Sequence, residues 1–258
     1  MTAPTWPELR VVSFYGDVMN VYADRGNFIA LRHRAAERGI PLHLTEVSLG
    51  DGLPADADLL LIGGGQDREQ HRVIGDLLDN APTLRDWIEA GTACLAVCGG
   101  FQLFGRWYRD QHGELLEGLA IFDVTTLAPG PAARRAVGDI LVDSHLPAVG
   151  EVVGFENHAG RTYLGPSGQP FARVRYGRGN NGEDGTEGAL YRSAIGTYLH
   201  GSVLPKNPAL LDHLLGSALA HRLGEPVELP ALPMPLATRA HEAAVAVARR
   251  RSPAFSPA

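Results

Sequence analysis

The first half of the chain alternates between short apolar runs and longer stretches in which apolar residues recur every three or four positions. The short runs have the length of strands, whereas the longer stretches have the periodicity of amphipathic helices. We predict strands at residues 9–15, 41–47, 58–62 and 92–97, and helices at 25–38, 67–78, 83–90 and 101–108. Asp24 is the predicted N-cap of the first helix and Gly39 its stop signal. This order is typical of an α/β protein with an open, mostly parallel sheet flanked by helices.

The pattern changes after about Leu119, where short apolar runs are separated by loops rich in glycine and proline. We predict strands at residues 121–127, 140–143, 151–155, 171–176, 189–191 and 195–199, and helices at 207–223 and 236–250. We expect the strands to extend the first sheet as a β-rich second half, and residues 177–188 to form a flexible surface loop. The chain then divides into a domain at 9–223 and a C-terminal segment at 224–258, which comprises a proline-rich stretch, a helix and an arginine-rich tail. The pattern leaves open whether this segment packs on the domain, contacts a partner or is solvated.

Composition limits the classes of function. The 258 residues carry a formal net charge of −6, which argues against a broad nucleic-acid-binding surface. No apolar run approaches the length of about 18 residues that a membrane span needs, and residues 1–10 lack the pattern of a signal peptide. Two cysteines cannot form a disulfide framework, so we expect a cytoplasmic protein.

The junction between the predicted strand 92–97 and the helix after it has the pattern of a nucleophile elbow with Cys98 at its centre. Such a tight turn needs small neighbours, and Ala96 and Gly100 supply them. A helix N-terminus lowers the pKa of a thiol, and the N–H of Gly99 can help to hold an oxyanion. The alternative is an inert cysteine buried in a glycine-rich turn, which is the interpretation that we give to Cys94.

His200 ends the predicted strand 195–199, at the same edge of the sheet as Cys98. A histidine there can take the thiol proton and return it to the leaving group. The alternative, a capping or surface histidine, is the interpretation that we give to His33, His43, His71, His112, His213, His221 and His241. The roles of His145 and His158 stay open. The histidines and cysteines show no metal-binding spacing, so we predict no metal site.

The glycines at 63–65 follow the third predicted strand and have three interpretations: a phosphate loop, a simple tight turn, or a source of backbone N–H groups beside Cys98. The phosphate-loop pattern with its Lys and Ser/Thr is absent from the chain, as is the dinucleotide fingerprint. We therefore expect no ATP site in this chain. Arg134, Arg135 and Arg161 lie near polar turns and could each bind a carboxylate, with surface solvation as the alternative.

The segment Ala96-Val97-Cys98-Gly99-Gly100-Phe101-Gln102 matches the nucleophile pattern small-x-Cys-x-Gly-x-Gln of the class I glutamine amidotransferases, although the first small residue is usually Gly. The chain resembles the branch of this family that includes the amidotransferase domains of cobyric acid synthases. The resemblance implies that glutamine is hydrolysed through a thioester and that ammonia passes to a synthetase. It implies these roles: nucleophile Cys98, general base His200, oxyanion donors Gly64, Gly65 and Gly99, and glutamine contact Gln102.

Three further segments, at residues 61–67, 154–162 and 196–201, resemble the GatD family of lipid II isoglutaminyl synthase subunits over roughly 9–223. This resemblance implies a heterodimer with a MurT-like synthetase of the Mur-ligase family, which amidates the α-carboxyl of D-glutamate in the lipid II stem peptide. It implies that ATP and Mg are bound by the partner and that this chain has no cofactor of its own. It also implies an arginine that binds glutamine. Arg135 is the better match, with Arg134 as the alternative.

One departure concerns the acid that orients the base. Many class I domains have His-Pro-Glu, whereas this chain has His200-Gly201-Ser202, as in the cobyric-acid branch. A histidine without the third member of a catalytic triad is less well fixed, and our hypothesis is that a partner carboxylate completes the site.

Two other functions remain: an amidotransferase for another acceptor, such as a cobyrinate, or a non-catalytic binding protein that keeps the elbow fold. The first usually carries a fused ATP-binding domain, for which we expect no room here. The joint presence of Cys98, Gln102 and His200 argues against the second.

Overall fold

The computed structural model describes residues 5–20, 25–130, 134–200 and 203–256. The strands are β1 (Leu9–Phe14), β2 (Leu42–Val47), β3 (Leu59–Ile62), β4 (Ala93–Val97), β5 (Trp107–Arg109), β6 (Leu115–Glu117), β7 (Val124–Leu127), β8 (Ala136–Ser144), β9 (Glu151–His158), β10 (Arg161–Leu164), β11 (Ala172–Tyr176), β12 (Thr186–Glu187), β13 (Ala189–Tyr191) and β14 (Ala194–Thr197). The helices are α1 (Arg25–Glu37), α2 (Asp67–Asp79), α3 (Ala81–Glu89), α4 (Gly99–Phe104), α5 (Val203–Lys206), α6 (Pro208–Leu223) and α7 (Pro235–Arg251).

The central sheet has six strands in the order β13-β14-β4-β3-β1-β2. Its strands are parallel except β13, which pairs antiparallel with β14 at one edge. Strands β3 and β4 are apolar and buried throughout, because helices cover the sheet. The predicted open, mostly parallel sheet is therefore present. Its carboxyl edge collects the residues that follow β3, β4 and β14.

Two groups of helices pack with this sheet: α1, α5 and α6 contact one another, and α2 contacts both α3 and α4. Cys94 lies in the core between them and is fully buried, and this burial raises the pKa of its thiol strongly. It is the ordinary core cysteine that the sequence indicated. Among the described residues, no helix is long and apolar enough to cross a membrane.

The expectation that the second half extends the central sheet was wrong for most of its strands, since only β13 and β14 join that sheet. The others lie in two separate four-stranded sheets: a second sheet, β10-β7-β5-β6, which also takes β5 and β6 from before Leu119, and a third sheet, β12-β11-β8-β9. Neighbouring strands such as β8 and β9 pair antiparallel across a short turn, which local chain connection favours over a distant sheet edge. The second half is still β-rich, but its sheets are independent units packed on the central one.

Among the predicted helices, the one at 101–108 departs most from the bounds that the structure shows. Helix α4 starts two residues earlier, at Gly99, and ends at Phe104, while Trp107 and Tyr108 belong to β5. The chain leaves the helix because the N–H of Arg106 donates to the carbonyl of Val124, which starts the pairing of β5 with β7. Pairing with a distant strand overrides the helical spacing of the aromatic residues. The pattern also missed β6, β10, β12 and α5, and the predicted cap Asp24 lies outside the described residues.

The glycine-rich stretch 177–188 is a packed loop rather than the flexible one we expected. Asn180 is fully buried, and its side chain bonds the backbone N–H and carbonyl of Gly188. The backbone N–H groups of Arg178 and Gly179 donate to the buried carboxylate of Glu156. The glycines at 177 and 179 have positive φ, which lets the backbone turn these N–H groups inward.

The C-terminal segment packs on the third sheet. Val245 and Ala248 of α7 form a small apolar cluster with Leu141 of β8 and Val153 of β9. Residues 253–255 then run along β11: the N–H of Gly177 donates to Pro253, and the N–H of Phe255 donates to Arg175. Of the three alternatives for this segment, the structure supports packing on the domain.

Candidate active site

The chain makes a strained turn at Cys98, between β4 and α4. Cys98 has φ +51° and ψ −105°, which is rare for a residue with a side chain, and its N–H donates to the carbonyl of Thr197 at 2.8 Å. The carbonyl of Cys98 accepts from the N–H of Gln102 at 2.9 Å, which fixes the first turn of the helix. The strain and its supports are those of a nucleophile elbow. Cys98 itself is 9% exposed.

The glycine loop after β3 lies directly against this elbow. A Cβ on Gly99 would meet the backbone nitrogen of Gly65 at 2.8 Å, and a Cβ on Gly100 would meet the carbonyl of Gly63 at 3.0 Å. The N–H of Gly100 also donates to the carbonyl of Gly63 at 3.1 Å. Only glycines allow this approach of two backbones. The arrangement brings the predicted oxyanion donors, Gly64, Gly65 and Gly99, to one place, and their role remains a prediction.

The strands that lead to His200 and Cys98 are neighbours in the central sheet. Strand β14 is parallel to β4, and Thr197 is opposite Val97. The backbone of His200 forms a two-way bridge with Phe155 of β9, with N···O distances of 2.7 and 3.3 Å. The side chain is buried, and burial, aided by the charge of Arg135, lowers the pKa of His200 to about 4. The imidazole is therefore neutral at pH 7, as a proton acceptor must be.

A cavity of about 280 Å³ opens in front of Cys98. Gly65 and Gln102 line it from the loop after β3 and from α4. Asn157 and His158 line it from β9, and Arg135 lines it from the position just before β8. Its size lies near the lower end for small-molecule sites, which are roughly 300–1,000 Å³. The arrangement suits a ligand of amino-acid size, because the guanidinium of Arg135 and the thiol of Cys98 line the same cavity.

Gln102 belongs to a buried chain of hydrogen bonds. Its Oε1 accepts from Nε2 of Gln70 at 2.9 Å, and its Nε2 donates to the hydroxyl of Tyr198 at 3.1 Å. The Tyr198 hydroxyl also forms a hydrogen bond of 2.7 Å with the hydroxyl of Thr162. The amide is thus held in one orientation at the edge of the cavity. Its contact with glutamine stays a prediction, and no sequence pattern had pointed to Gln70.

Arg135, rather than Arg134, lines the cavity. Its guanidinium donates to the side-chain and backbone oxygens of Asn157 at 3.1 and 3.0 Å, which aims it along the cavity wall. The Arg134 carbonyl accepts a hydrogen bond from the guanidinium of Arg161, and this bond ties the backbone before Arg135 to β10. The position of Arg135 is the one that a carboxylate-binding group would occupy.

The two histidines left open by the sequence have different environments. His145 is exposed, and its Nδ1 lies 3.1 Å from the carbonyl of Pro170. His158 is buried in the cavity wall and stacks on the ring of Tyr198, with centroids 3.7 Å apart. Asn157 and His158 fall in the segment 154–162 that carried the family resemblance, which was the one signal for them.

His71, Asp110 and Glu114 come close enough to hold a metal ion, although they show no metal-binding spacing in the sequence. One oxygen of Asp110 accepts from the backbone N–H groups of His112 and Glu114, and the other lies 3.0 Å from Nε2 of His71. The ligand atoms of Asp110 are thus already used within the chain. We interpret the cluster as an ion-pair network around a buried carboxylate.

Two buried carboxyl groups hold backbone N–H groups, one of them at the strand end that leads to His200. Glu187 accepts from the Thr197 hydroxyl at 3.1 Å and from the N–H of Tyr198 at 2.6 Å, and Glu156 anchors the loop at 178–179. Burial raises the pKa of Glu187 to about 8 and that of Glu156 to about 7. Both carboxyls therefore take up protons on folding.

This proton uptake predicts how stability depends on pH. In the unfolded chain Glu187 ionises near its ordinary pKa, but in the folded chain only near pH 8, so its contribution to the free energy of unfolding should fall as pH rises from about 5 to 8. We expect Glu187→Gln to flatten this slope, as measured by urea unfolding of the full chain. The exposed Glu117→Gln is the control. An unchanged slope in Glu187→Gln would contradict the assignment.

A protein of this fold, with a cysteine elbow at the carboxyl edge of its sheet, belongs among the glutamine amidotransferases. More specifically, the chain belongs to the family of the CobB/CobQ-like glutamine amidotransferase domain, whose model matches residues 10–208. A solved structure described as a glutamine amidotransferase shares the fold, with a TM-score of 0.54, 15% identity and coverage of 80% of this chain and 98% of its own. The predicted fold class is confirmed.

Two curated relatives are similar over most of their length. The lipid II isoglutaminyl synthase (glutamine-hydrolyzing) subunit GatD of Staphylococcus aureus (strain N315) is 42% identical over 86% of this chain and 88% of its own. The subunit of the same name from Streptococcus pneumoniae (strain ATCC BAA-255 / R6) is 37% identical over 87% of this chain and 85% of its own. The family resemblance seen in the sequence is confirmed.

Proposed function

We propose that this chain is the glutamine-hydrolysing subunit of a lipid II isoglutaminyl synthase. The observation that carries the proposal is the sequence identity of 42% and 37% to two GatD subunits over most of each chain. The cysteine elbow, the glycine loop and a cavity of amino-acid size support it, because they are what glutamine hydrolysis through a thioester needs.

The proposed chemistry uses residues at the carboxyl edge of the central sheet. The sulfur of Cys98 attacks the side-chain amide carbon of glutamine while neutral His200 takes the thiol proton. The oxyanion that forms is held by backbone N–H groups of Gly64, Gly65 and Gly99. His200 then gives its proton to the amide nitrogen, the C–N bond breaks, and ammonia leaves a thioester on Cys98. Water hydrolyses the thioester to glutamate and regenerates the thiol.

In this proposal the substrate is oriented by its polar ends. Arg135 binds the α-carboxylate of glutamine in the cavity wall, and Gln102 helps to position the substrate beside the elbow. The network that holds Gln102 in one orientation supports this role, since a positioning group must itself be fixed.

Activation of the acceptor is assigned to a partner. This sequence lacks both nucleotide-binding patterns considered above, so we place ATP and Mg on a MurT-like synthetase of the Mur-ligase family. That partner would form a heterodimer with this chain in the cytoplasm and use the ammonia to amidate the D-glutamate α-carboxyl of lipid II. A partner carboxylate would orient His200, since the sequence places Gly and Ser after it where many relatives have Pro and Glu.

The partner dependence can be measured directly. We expect the purified chain alone to hydrolyse glutamine slowly, and at least about tenfold faster with the MurT-like synthetase, ATP and lipid II present, with amidated lipid II as product. The assay measures glutamate release and lipid II mass in parallel. Fast hydrolysis by the isolated chain would contradict the partner carboxylate, and hydrolysis without lipid II amidation would assign another acceptor, such as a cobyrinate. No turnover in any mixture would favour the non-catalytic binding protein.

A further inference from the structure

His158 is a buried polar residue that the mechanism above does not use. It is 2% exposed, and its ring lies parallel to that of Tyr198, with centroids 3.7 Å apart and planes 10° apart. Its Nδ1 lies 2.8 Å from the carbonyl oxygen of Gly160. The ring is therefore fixed both by stacking and by a hydrogen bond, and its other nitrogen has a defined direction.

The contact with Gly160 sets the tautomer. A carbonyl oxygen can only accept, so Nδ1 carries the proton and donates it, and Nε2 is left as an acceptor. No group of the described residues forms a hydrogen bond with Nε2, although this nitrogen is buried. Leaving such an acceptor unsatisfied destabilises a protein, so its retention at a ligand cavity indicates that a ligand group satisfies it.

The charge state of the ring agrees with an acceptor. Burial lowers the pKa of His158 to about 3, and the positive charges of Arg161 and Arg135 act in the same direction. His158 is thus neutral at pH 7 and keeps the Nε2 lone pair.

We propose that Nε2 of His158 accepts a hydrogen bond from the side-chain amide N–H of the substrate glutamine, and so selects an amide in front of Cys98. The inference rests on the proposed hydrolysis of glutamine at this site. His158 and Cys98 line the same cavity. In the hydrolysis proposed above, the backbone donors of the elbow and the glycine loop hold the amide oxygen. The amide nitrogen, which bears two protons, needs an acceptor on the opposite side.

This assignment gives the site a means of discrimination. A carboxylate or an ester places an oxygen lone pair where the amide nitrogen places a proton, so neither can bond Nε2. A buried group built to pair with an N–H rejects analogues that lack it. The product glutamate would then be held less tightly than glutamine, which helps it to leave.

The test compares an amide with an ester in the full chain with its synthetase partner added. We expect His158→Phe, which keeps an aromatic ring against Tyr198, to lower kcat/KM for L-glutamine by about ten- to a hundredfold. Hydrolysis of L-glutamate γ-methyl ester, which has no N–H at this position, should change by less than about threefold. His158→Gln, which keeps an acceptor, should regain most of the lost glutamine activity.

The controls separate this role from a structural one. His145→Phe changes an exposed histidine outside the cavity and should leave both substrates unaffected, and thermal unfolding checks each variant. If His158→Phe does not fold, His158→Asn, whose shorter side chain cannot reach, takes its place. Equal losses on amide and ester, or no loss on glutamine, would overturn the assignment while leaving the proposed function intact. If the wild-type protein hydrolyses neither substrate, both are overturned.

Discussion

Replacement of Cys98 by alanine is expected to lower glutamine hydrolysis by at least about 10³-fold, because the variant has no nucleophile to form the thioester. The cysteine lies on a turn whose backbone bonds run to Thr197 and Gln102 through main-chain atoms, so removal of the side chain leaves the turn in place. The fold should therefore survive, and the loss should be chemical. Glutamate release, measured with the synthetase partner present, is the assay.

The same variant separates hydrolysis from amidation. With free ammonia supplied in place of glutamine, the Cys98→Ala complex should still amidate lipid II, since the acceptor chemistry is proposed to lie on the partner. Cys94→Ala, which changes the fully buried core cysteine four residues earlier, is the matched control and should keep glutamine-dependent activity. Equal effects of the two substitutions would contradict the assignment of the nucleophile.

Replacement of His200 by asparagine is expected to lower kcat/KM for glutamine by about 10²- to 10⁴-fold, because the thiol then has no side chain to take its proton. The backbone bridge to Phe155 does not depend on the side chain, so the strand end should keep its position. Alkylation of Cys98 by a glutamine-analogue electrophile should also slow, since the neutral thiol is a weak nucleophile.

His43→Asn serves as the control for this second prediction, because His43 is exposed on β2. Mass spectrometry of the alkylated peptide and glutamate release give two independent measures of the base. Normal alkylation combined with lost turnover would restrict His200 to the later transfer of the proton to ammonia. Normal turnover would remove His200 from the mechanism.

The first half of the fold and the elbow could be predicted because their signals are local. Strands β1 to β4 and helices α2 and α3 follow from the period of apolar positions within a few residues of the chain. The elbow follows from small residues on both sides of Cys98, which a tight turn needs for steric reasons. These features depend on neighbours in sequence, so a single sequence contains them.

The remaining elements depend on distant partners. Trp107 and Tyr108 have helical spacing but pair with β7, and the glycines at 177–188 indicated flexibility because composition does not reveal that Glu156 binds the backbone there. The cavity was predicted only in part for the same reason. Arg135 and Gln102 came from the family pattern, whereas Gln70 and His158 join the site through contacts across three segments.

The path of residues 253–255 along β11 bears on self-association of the protein. Strand β12 pairs with β11 only at Ala172 and Arg173, and the N–H of Val174 donates to the carbonyl of Gly185. The end of β11 is met by residues 253–255, with Ala254 bridged to Tyr176. A strand edge with open N–H and C=O groups is a template for pairing with another molecule. Residues 253–255 therefore oppose self-association through this edge, and a protein shortened to residue 252 would keep the elbow and its cavity but expose backbone N–H and C=O groups of β11 to another molecule.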